Sequence, residues 1–381
     1  MQASIKVRSL AKPAIELSAP FFAIGQRPAS WSCAMTLSQL ARDLQRLRSM
    51  QAMVLSRPAS VASRPLSYVE RPEPEPGPGE VQIRVEACGV CRTDLHVVEG
   101  DLAPHRPGII PGHEVVGRVA KLGAGCGRFA VGTRVGIAWL RHTCGTCRFC
   151  LRQAENLCLT PRFTGWDENG GYAEVAVVPE AFAYGLPEGV AAKDLAPLLC
   201  AGIIGYRAYR RSRAPRGGRI GLFGFGGSAH VAIQVARYHG CEVYVFSRGG
   251  KHRELAEELR AVWVGDTFDR PPHPLDAAIL FAPAGELVPV ALSALDRGAT
   301  LAIAGIHLSD VPALNYQESL FQERNVCSVT ANTRDDGNAL LELAALIPIR
   351  TQTQGYPLEQ ANRALSDLKD DRIKGAAVLL P

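Results

Sequence analysis

Apolar and polar residues alternate in short runs through the first half of the chain, and glycine and proline residues separate these runs. Alternation with a period of two predicts strands that bury one face. Such strands are predicted at residues 80–87, 114–121, 134–138 and 172–178, after a strand-like start at 52–56. A proline-rich stretch at 68–79 is expected to be extended or turning, because proline fixes its own backbone and restricts the preceding residue. This half of the chain therefore predicts a β-rich domain.

The pattern changes near Cys200, where almost continuously apolar runs begin to alternate with amphipathic segments. Strands are predicted at 219–223, 242–246, 276–281 and 300–304, and helices at 201–213, 228–239, 252–259 and 286–295. Apolar strands that alternate with helices are typical of a parallel sheet covered on both faces. Beyond residue 330 the alternation ends, and a helix at 357–370 and a strand at 376–380 are expected to return to the first domain.

These patterns divide the 381 residues into an extension and two folded domains, which makes the fold class α/β. Residues 50–200 and 331–381 are assigned to the β-rich domain, and residues 201–330 to a doubly wound, Rossmann-type domain. Residues 1–49 are rich in Arg and Ser, and we expect them to be disordered apart from a short amphipathic helix at 36–48. Their composition is also that of a transit peptide, but methionines at 50 and 53 favour an upstream-start extension or a mobile tail.

Charge and hydropathy exclude two classes of function. The formal net charge of +5 lies in residues 1–49, which hold seven Lys or Arg against two Asp or Glu, and the rest of the chain is balanced. A neutral body gives no reason to expect nucleic-acid binding. No apolar run approaches the roughly 18 residues that a membrane helix needs. We therefore expect a soluble protein with neither nucleic-acid nor membrane partners.

Four of the eleven cysteines are closely spaced, namely Cys144, Cys147, Cys150 and Cys158. This spacing indicates metal ligation in a reducing compartment, which favours the cytoplasm over a secreted disulfide framework. Four thiolates complete the tetrahedral shell of Zn²⁺ without an open position, so the predicted zinc ion is structural. Unligated cysteines and a zinc finger are the alternative interpretations, and the neutral body argues against the second.

A second group of possible ligands is dispersed along the chain. Cys91 lies in GVCRTDLH, His113 in PGHE, and Cys200 at the junction between the two predicted domains. Together they would supply two thiolates and one imidazole, which leaves one open position in a catalytic zinc shell. Taken singly, a cysteine is most often a small buried apolar residue and a histidine a structural one. Spacing alone does not join these three residues.

A glycine-rich turn, GLFGFGGSAH, follows the predicted strand at 219–223 and precedes a helix. Gly224, Gly226 and Ala229 occupy the positions of the G-x-G-x-x-G/A motif, in which alanine replaces the third glycine. Gly224, Gly226 and Gly227 allow a tight turn and a close approach of a dinucleotide pyrophosphate to the helix N-terminus, although a turn without a ligand is the alternative.

The next strand of such a unit usually ends in an acidic residue that binds the ribose of NAD. Here it ends in Ser247, followed by Arg248, with Lys251 nearby. A hydroxyl group and two cations can bind a 2′-phosphate, so these residues favour NADP over NAD. The alternative is that Arg248 and Lys251 lie in a solvent-exposed loop and bind no coenzyme.

In this order, the motifs GVCRTDLH and PGHEVVGRV, the four-cysteine loop, Cys200 and the GFGGSA turn resemble those of the zinc-dependent alcohol dehydrogenases of the medium-chain dehydrogenase/reductase superfamily. The resemblance covers residues 50–381. It implies a GroES-like catalytic domain that a Rossmann domain interrupts in sequence, with the active site in the cleft between them.

The resemblance also implies specific roles for residues. Cys91, His113 and Cys200 would hold a catalytic zinc ion, and the four-cysteine loop a structural one. Glu114 would lie close behind the catalytic metal and transiently coordinate it, and Asp94 would orient the zinc-bound imidazole.

The implied reaction interconverts alcohols, primary ones by preference, and aldehydes by hydride transfer to or from NAD(P). Thr93 would receive the proton of the alcohol and pass it through the cofactor ribose to His96, which releases it to solvent. Trp139 and Trp166 either line the substrate pocket or belong to the core. Members of this family form homodimers or homotetramers through the Rossmann domain, so a homo-oligomer is expected.

Two other functions remain open at this point. A polyol or formaldehyde-linked dehydrogenase would share both zinc and cofactor, but polyol enzymes of the superfamily often replace the junction cysteine with glutamate, and Cys200 is retained. A zinc-stabilised binding module without activity is the second alternative. Thr93 and His96, close to the predicted ligands, argue against it.

Overall fold

The computed structural model describes residues 49–305 and 308–381. Most of the predicted N-terminal extension, including the helix expected at 36–48, lies outside the described residues. Ser49, which we assigned to the extension, is instead the first residue of a strand.

Five of the nine strands before residue 200 lie at or near the positions that the alternating pattern predicts, and the other four were not predicted. They are β1 (Ser49–Leu55), β2 (Leu66–Pro72), β3 (Glu80–Val90), β4 (Glu114–Leu122), β5 (Arg134–Ile137), β6 (Leu140–His142), β7 (Arg162–Phe163), β8 (Val175–Pro179) and β9 (Ala183–Gly185). Three α-helices lie between them, namely α1 (Arg92–Glu99), α2 (Arg148–Leu151) and α3 (Ala192–Leu195). Single 3₁₀ turns lie at Val61–Ser63, Glu155–Leu157, Glu180–Phe182, Ala196–Leu199 and, near the C-terminus, Leu358–Gln360.

Strands and helices alternate after residue 200, as predicted. The elements are α4 (Ala201–Ser212), β10 (Arg219–Phe223), α5 (Gly227–Tyr238), β11 (Glu242–Phe246), α6 (Gly250–Glu258), β12 (Trp263–Gly265), β13 (Leu275–Leu280), α7 (Leu287–Ala294), β14 (Leu295–Ile303), α8 (Tyr316–Ser319) and β15 (Asn325–Ser328). The last elements are α9 (Arg334–Leu346), β16 (Thr353–Pro357), α10 (Ala361–Lys369) and β17 (Ala376–Leu380).

The second half forms a six-stranded sheet in the order β12-β11-β10-β13-β14-β15, and every neighbouring pair is parallel. This is the strand order of a doubly wound dinucleotide-binding fold, in which ligands bind where the order reverses. The reversal lies between β10 and β13, at the end of the strand that precedes the glycine-rich turn. The predicted Rossmann domain is therefore confirmed.

The first half forms a seven-stranded sheet in the order β16-β17-β3-β4-β5-β9, and β8 also pairs with β3. Strand β17 lies antiparallel to β3, with Ala377 opposite Val90. The C-terminal strand thus pairs with a strand of the first half, while the predicted domain boundaries stay a prediction. This sheet therefore combines strands from both halves of the described chain.

Two predicted elements begin three or four residues later than expected, and the strand expected at 300–304 begins earlier, at Leu295. The strand expected at 172–178 begins at Val175, because Gly171 and Tyr172 donate their backbone N–H groups to the loop before β4 instead of to a strand. The helix expected at 357–370 begins at Ala361. Pro357 ends β16 there, and one 3₁₀ turn separates that strand from α10.

A continuous apolar core connects the two sheets. Val116 of β4, Leu199 and Ile203 beside the domain junction, and Leu222 of β10 belong to the same cluster of buried side chains. The junction carrying Cys200 therefore lies against both domains. Within the described ranges, no helix is both long and apolar enough to cross a membrane.

Candidate active site

Cys91, His113 and Cys200 come together although they are far apart in the sequence. Cys91 lies between β3 and α1, His113 directly precedes β4, and Cys200 directly precedes α4. The candidate ligand atoms of these three residues and of Glu114 all lie within 4.8 Å of one another. The two sulfur atoms of Cys91 and Cys200 are 3.8 Å apart. A tetrahedral zinc ion with bonds of about 2.3 Å holds two sulfur ligands about 3.8 Å apart, so the pair fits such an ion.

One nitrogen of the His113 imidazole contacts a carboxylate, and the other belongs to the candidate metal site with the thiols of Cys91 and Cys200. Its Nδ1 lies 2.8 Å from Oδ1 of Asp94, and the ring is fully buried. Its Nε2 is buried and has no hydrogen-bond partner. A histidine that donates from one nitrogen to a carboxylate presents a lone pair on the other, which is the arrangement of a metal ligand.

Asp94 is the centre of a buried hydrogen-bond network. Oδ1 accepts from the backbone N–H of Gly112 at 3.2 Å as well as from His113, and Oδ2 accepts from the backbone N–H of Cys91 at 2.9 Å. The hydroxyl group of Tyr172 donates to Oδ2 at 3.1 Å. This carboxylate therefore fixes the loop positions of two candidate ligands at once.

Sequence reasoning missed Tyr172. The glycines around it leave room for its ring and for its segment, because a Cβ atom at Gly112 would lie 2.3 Å from the Tyr172 ring and one at Gly171 would collide with Val115. Burial, and then the nearby Asp94 charge, raises the pKa of Tyr172 well above its usual value. The hydroxyl group therefore remains a donor to Asp94.

Glu114 is buried at the start of β4 with its carboxylate beside the other candidate ligands. A Cβ atom at Gly89 would lie 1.8 Å from its Oε2, so that glycine provides the space for the carboxyl group. Burial, and then the charge of Cys91, raises the pKa of Glu114 well above its usual value. The pKa of Cys91 is well below its usual value, first because Cys91 accepts a hydrogen bond from the Cys200 thiol.

The four-cysteine loop forms a second compact group of thiols. The sulfur of Cys144 lies 3.9 Å from that of Cys150 and 3.5 Å from that of Cys158, and Cys147 and Cys150 are 3.6 Å apart. These separations fit a tetrahedral sulfur shell. Backbone N–H groups of Thr146 and Cys147 lower the pKa of Cys144 to about 5, which favours the thiolate that a metal ion requires.

Thr93 and His96 lie one turn apart on α1, directly after Cys91. Oγ1 of Thr93 is 3.7 Å from the Cys91 sulfur, and the side chain is buried. Nδ1 of His96 lies 2.8 Å from Oδ2 of Asp101, and about a fifth of the His96 side chain is exposed. A buried hydroxyl group beside the candidate ligands is thus followed by an imidazole that reaches the surface.

An aromatic wall extends outward from the candidate metal site. The ring of Trp139 lies 5.0 Å from that of His113 and stacks with Phe163 at 4.9 Å and with Trp166 at 5.9 Å. His105 packs on the outer side of Trp166 at 4.4 Å. Sequence reasoning identified the two tryptophans but not Phe163 or His105, because nothing in the local pattern brings their segments together.

The glycine-rich turn has the backbone that a dinucleotide needs. Gly224 has a φ of 86°, and a Cβ atom there would lie 2.8 Å from the backbone nitrogen of Ala282. Gly226 directly precedes α5 and faces open space, and Gly227 is the first residue of that helix. The turn therefore exposes the N-terminus of α5 at the point where the strand order reverses.

The end of β11 lies next to this turn, since the backbone N–H of Gly224 donates to Phe246 at 2.8 Å. Ser247 is buried there, while Arg248 and Lys251 are exposed. Arg253, which sequence reasoning missed, donates to the backbone oxygen of Ser247 at 2.5 Å. The structure thus brings the predicted coenzyme residues to one edge of the parallel sheet.

Comparison with known proteins gives a consistent family. Residues 77–188 match the model of the alcohol dehydrogenase GroES-like domain. The chain is 58% identical over 337 residues to a "Probable alcohol dehydrogenase AdhA" of Mycobacterium tuberculosis, covering 87% of this chain and 97% of that protein. It is 32% identical over 330 residues to an alcohol dehydrogenase of Geobacillus stearothermophilus, covering 83% and 96%.

Solved structures agree with these relatives. A cobalt- and zinc-bound thermostable alcohol dehydrogenase of Pyrobaculum aerophilum superposes with a TM-score of 0.79 at 28% identity, covering 87% of this chain and all of that one. A putative zinc-binding dehydrogenase of Sinorhizobium meliloti, bound to NADP, superposes with a TM-score of 0.78 at 25% identity, covering 87% and 99%. The chain belongs to the alcohol dehydrogenases with a GroES-like domain, within the medium-chain dehydrogenase/reductase superfamily.

Proposed function

We propose that this alcohol dehydrogenase is zinc-dependent, prefers NADP and acts on primary alcohols and the corresponding aldehydes. The single observation that supports zinc best is the unpaired, buried Nε2 of His113, which lies beside the thiols of Cys91 and Cys200. A buried polar atom without a partner is costly unless a ligand satisfies it. Two sulfurs and one imidazole nitrogen are a donor set that zinc prefers.

Cys91, His113 and Cys200 would hold the catalytic zinc ion, and the four-cysteine loop a structural one. When bound, zinc supplies Lewis acidity, which lowers the pKa of a substrate alcohol or polarises an aldehyde. Glu114 lies among these ligands and would approach the metal during ligand exchange. Asp94 would hold the His113 imidazole in the tautomer that leaves Nε2 free.

Thr93 and His96 would carry the proton of the reaction. The Thr93 hydroxyl group is buried beside Cys91 and would accept the proton of the substrate alcohol. His96, one turn later on α1, would deliver it to solvent, since its side chain is partly exposed and contacts Asp101.

The coenzyme pyrophosphate would bind at Gly224, Gly226 and Gly227, against the N-terminus of α5. Ser247, Arg248 and Lys251 support NADP, because β11 ends without the carboxylate that NAD-binding units use. Arg248 and Lys251 form none of the ion pairs found among the described residues, so both cations are available for a 2′-phosphate.

Trp139 and Trp166 would form one wall of the substrate pocket together with Phe163. Their stacked rings lie beside His113, and a bulky aromatic wall at this position would favour slim primary alcohols over branched secondary ones. We further propose a homodimer or homotetramer that works in the cytoplasm and has neither nucleic-acid nor membrane partners.

The decisive experiment measures zinc per chain on the purified protein and NADPH or NADH oxidation at 340 nm with a panel of aldehydes and ketones. We expect two zinc ions per chain and faster turnover with NADPH and aldehydes. Cys200→Ser should lose one zinc ion and the activity, while Cys241→Ser, which changes a buried cysteine outside both sites, should lose neither. One zinc ion without activity in the unmodified protein would overturn the catalytic site and favour a zinc-stabilised binding module.

A further inference from the structure

A second cleft lies between the four-cysteine loop and the helices α4 and α9. Its volume is about 950 Å³, and its walls come from the segment 150–156, from three arginines of α4 and from the segment 333–338. None of Cys91, His113 or Cys200 lines it. A cleft of this size accommodates a small molecule.

The charge of this cleft contrasts with the balanced charge of the chain beyond residue 49. Three carboxyl groups line it, from Glu155, Asp335 and Asp336. The cations that line it are all arginines, namely Arg128, Arg152, Arg207, Arg210, Arg211 and Arg334. Arginines therefore outnumber carboxylates two to one, which favours an anionic ligand.

The three carboxylates are already paired. Arg334 binds Glu155 at 2.6 Å, and Arg210 binds Asp335 at 2.8 Å. Asp336 accepts from Arg207 at 2.5 Å and also from Arg210 at 3.0 Å. None of these pairs involves the remaining three arginines, so the cleft keeps an excess of positive charge, which the Cys150 sulfur at its wall offsets only in part.

The remaining arginines come from three separate segments. Arg128 donates to the backbone oxygens of Glu180 and Ala183, and Arg152 stacks on Phe149 at 4.7 Å. Neither these two nor Arg211 of α4 forms an ion pair with a carboxylate in residues 49–305 and 308–381. Guanidinium groups on different walls are suited to binding one anion between them.

Two unpaired buried polar atoms belong to side chains that line this cleft. Within the described ranges, five buried side-chain atoms have no hydrogen-bond partner, and one of them is the Nε2 of His113 discussed above. Two others, Oδ1 of Asn156 and Nε of Arg207, belong to side chains that line the cleft. The Asn156 oxygen is an acceptor and the Arg207 nitrogen is a donor. Buried polar atoms of this kind are usually satisfied by a bound ligand or by water.

We propose that this cleft binds a small organic phosphate that carries two anionic groups and free hydroxyl groups. Phosphate oxygens pair with Arg152 and Arg211, which come from different segments of the lining, and hydroxyl groups of the ligand, or water bound with it, donate towards Asn156. The bound anion links the four-cysteine loop to α4, which begins directly after Cys200. The site lies outside the coenzyme turn and is an additional function of this chain.

Calorimetric titration of the full-length protein with fructose 1,6-bisphosphate tests the proposal. The double variant Arg152→Ala/Arg211→Ala should weaken binding at least about tenfold, because it removes two charge-assisted contacts. Arg57→Ala/Arg216→Ala removes the same charge from two exposed arginines outside the cleft and should leave the affinity unchanged.

Asn156→Ala should weaken binding of the sugar bisphosphate more than binding of inorganic pyrophosphate, which lacks hydroxyl groups. Hydrogen exchange should slow in 150–156 and 201–212 when the ligand binds.

Other results would overturn the proposal. Equal affinity in the Arg152→Ala/Arg211→Ala protein would exclude the cleft, and loss of binding only in Arg248→Ala/Lys251→Ala would assign the anion to the coenzyme site. If the cleft variant changes the sedimentation coefficient while the ligand binds neither protein, this face is covered by a second copy of the chain instead.

Discussion

The hydroxyl group of Tyr172 donates a hydrogen bond to Oδ2 of Asp94 over 3.1 Å. The other oxygen of the same carboxylate lies 2.8 Å from Nδ1 of His113. The orientation of a candidate metal ligand therefore depends on a tyrosine from a distant segment of the chain. Partners of this kind tune metal affinity through the ligand that they hold.

Asp94→Asn should weaken zinc binding by about 10- to 100-fold, as is typical when the partner of a ligating histidine is changed. The amide cannot accept from His113 with the strength of a carboxylate, and it leaves one of the buried donors unpaired. Competition with a chromogenic chelator measures the affinity. Asp371→Asn, at an exposed position, is the control and should leave the affinity unchanged.

Tyr172→Phe should lower the free energy of unfolding by about 1–3 kcal/mol, because Asp94 loses a buried donor. It should also accelerate zinc release. Tyr184→Phe removes the hydroxyl group of a comparably buried tyrosine, which accepts from Asn332, and should affect stability without affecting zinc. Equal zinc release rates in the two variants would show that Tyr172 does not support the metal site.

Thr93→Ala should reduce kcat by about 100-fold while both zinc ions remain bound, because a proton-transfer group of this kind contributes at least that much. Thr93→Ser keeps the hydroxyl group and should restore most of the rate. Steady-state kinetics and metal analysis on the same samples separate the two effects. An alanine variant with full activity would exclude this residue from the proton path.

Arg248→Ala/Lys251→Ala should raise the KM for NADPH by about tenfold or more and leave the KM for NADH nearly unchanged, since the lost charge-assisted contacts concern only the 2′-phosphate. Ser247→Asp should shift the preference further towards NADH through repulsion of that phosphate. An equal change in the KM for NADPH and NADH would show that Arg248 and Lys251 do not bind the 2′-phosphate.

The ion pair of Glu155 and Arg334 predicts a dependence of stability on pH. Burial alone would raise the pKa of Glu155, but hydrogen bonds from Arg334 outweigh it and lower the pKa. A carboxyl group whose pKa is lower in the folded state adds stability above its unfolded pKa of about 4.3, and this stability is lost as the pH falls through the folded pKa. Glu155→Gln should therefore lower Tm at pH 7, and by clearly less at pH 4. An equal Tm difference at both pH values would contradict this assignment.

Much of the fold follows from local patterns. The apolar strand at 219–223 has the predicted bounds, and so does the C-terminal strand at 376–380. Period-two alternation and near-continuous apolar runs reflect which faces of a strand are buried, so strands can be predicted from them in the sequence. The start of β8 at Val175 could not be predicted from the sequence. It depends on backbone hydrogen bonds to a distant loop, and the pattern of apolar residues does not reveal them.

The candidate site was readable only in part. The four-cysteine loop is local, whereas Cys91, His113 and Cys200 are joined by tertiary structure, and only the family resemblance connected them in advance. Tyr172 and Phe163 carry no local signal of their contacts. Aromatic residues are ordinary core components, and their function here depends on which distant segments pack beside them.

The antiparallel pairing of β17 with β3 has a consequence for biosynthesis. The sheet that carries Cys91 at the end of β3 lacks a strand until β17 has been translated, whereas the strands of the parallel sheet are all present once β15 has left the ribosome. Domains generally fold as units during synthesis. The parallel sheet can therefore fold on the nascent chain before β17 has been made, and the sheet beside Cys91 is completed later.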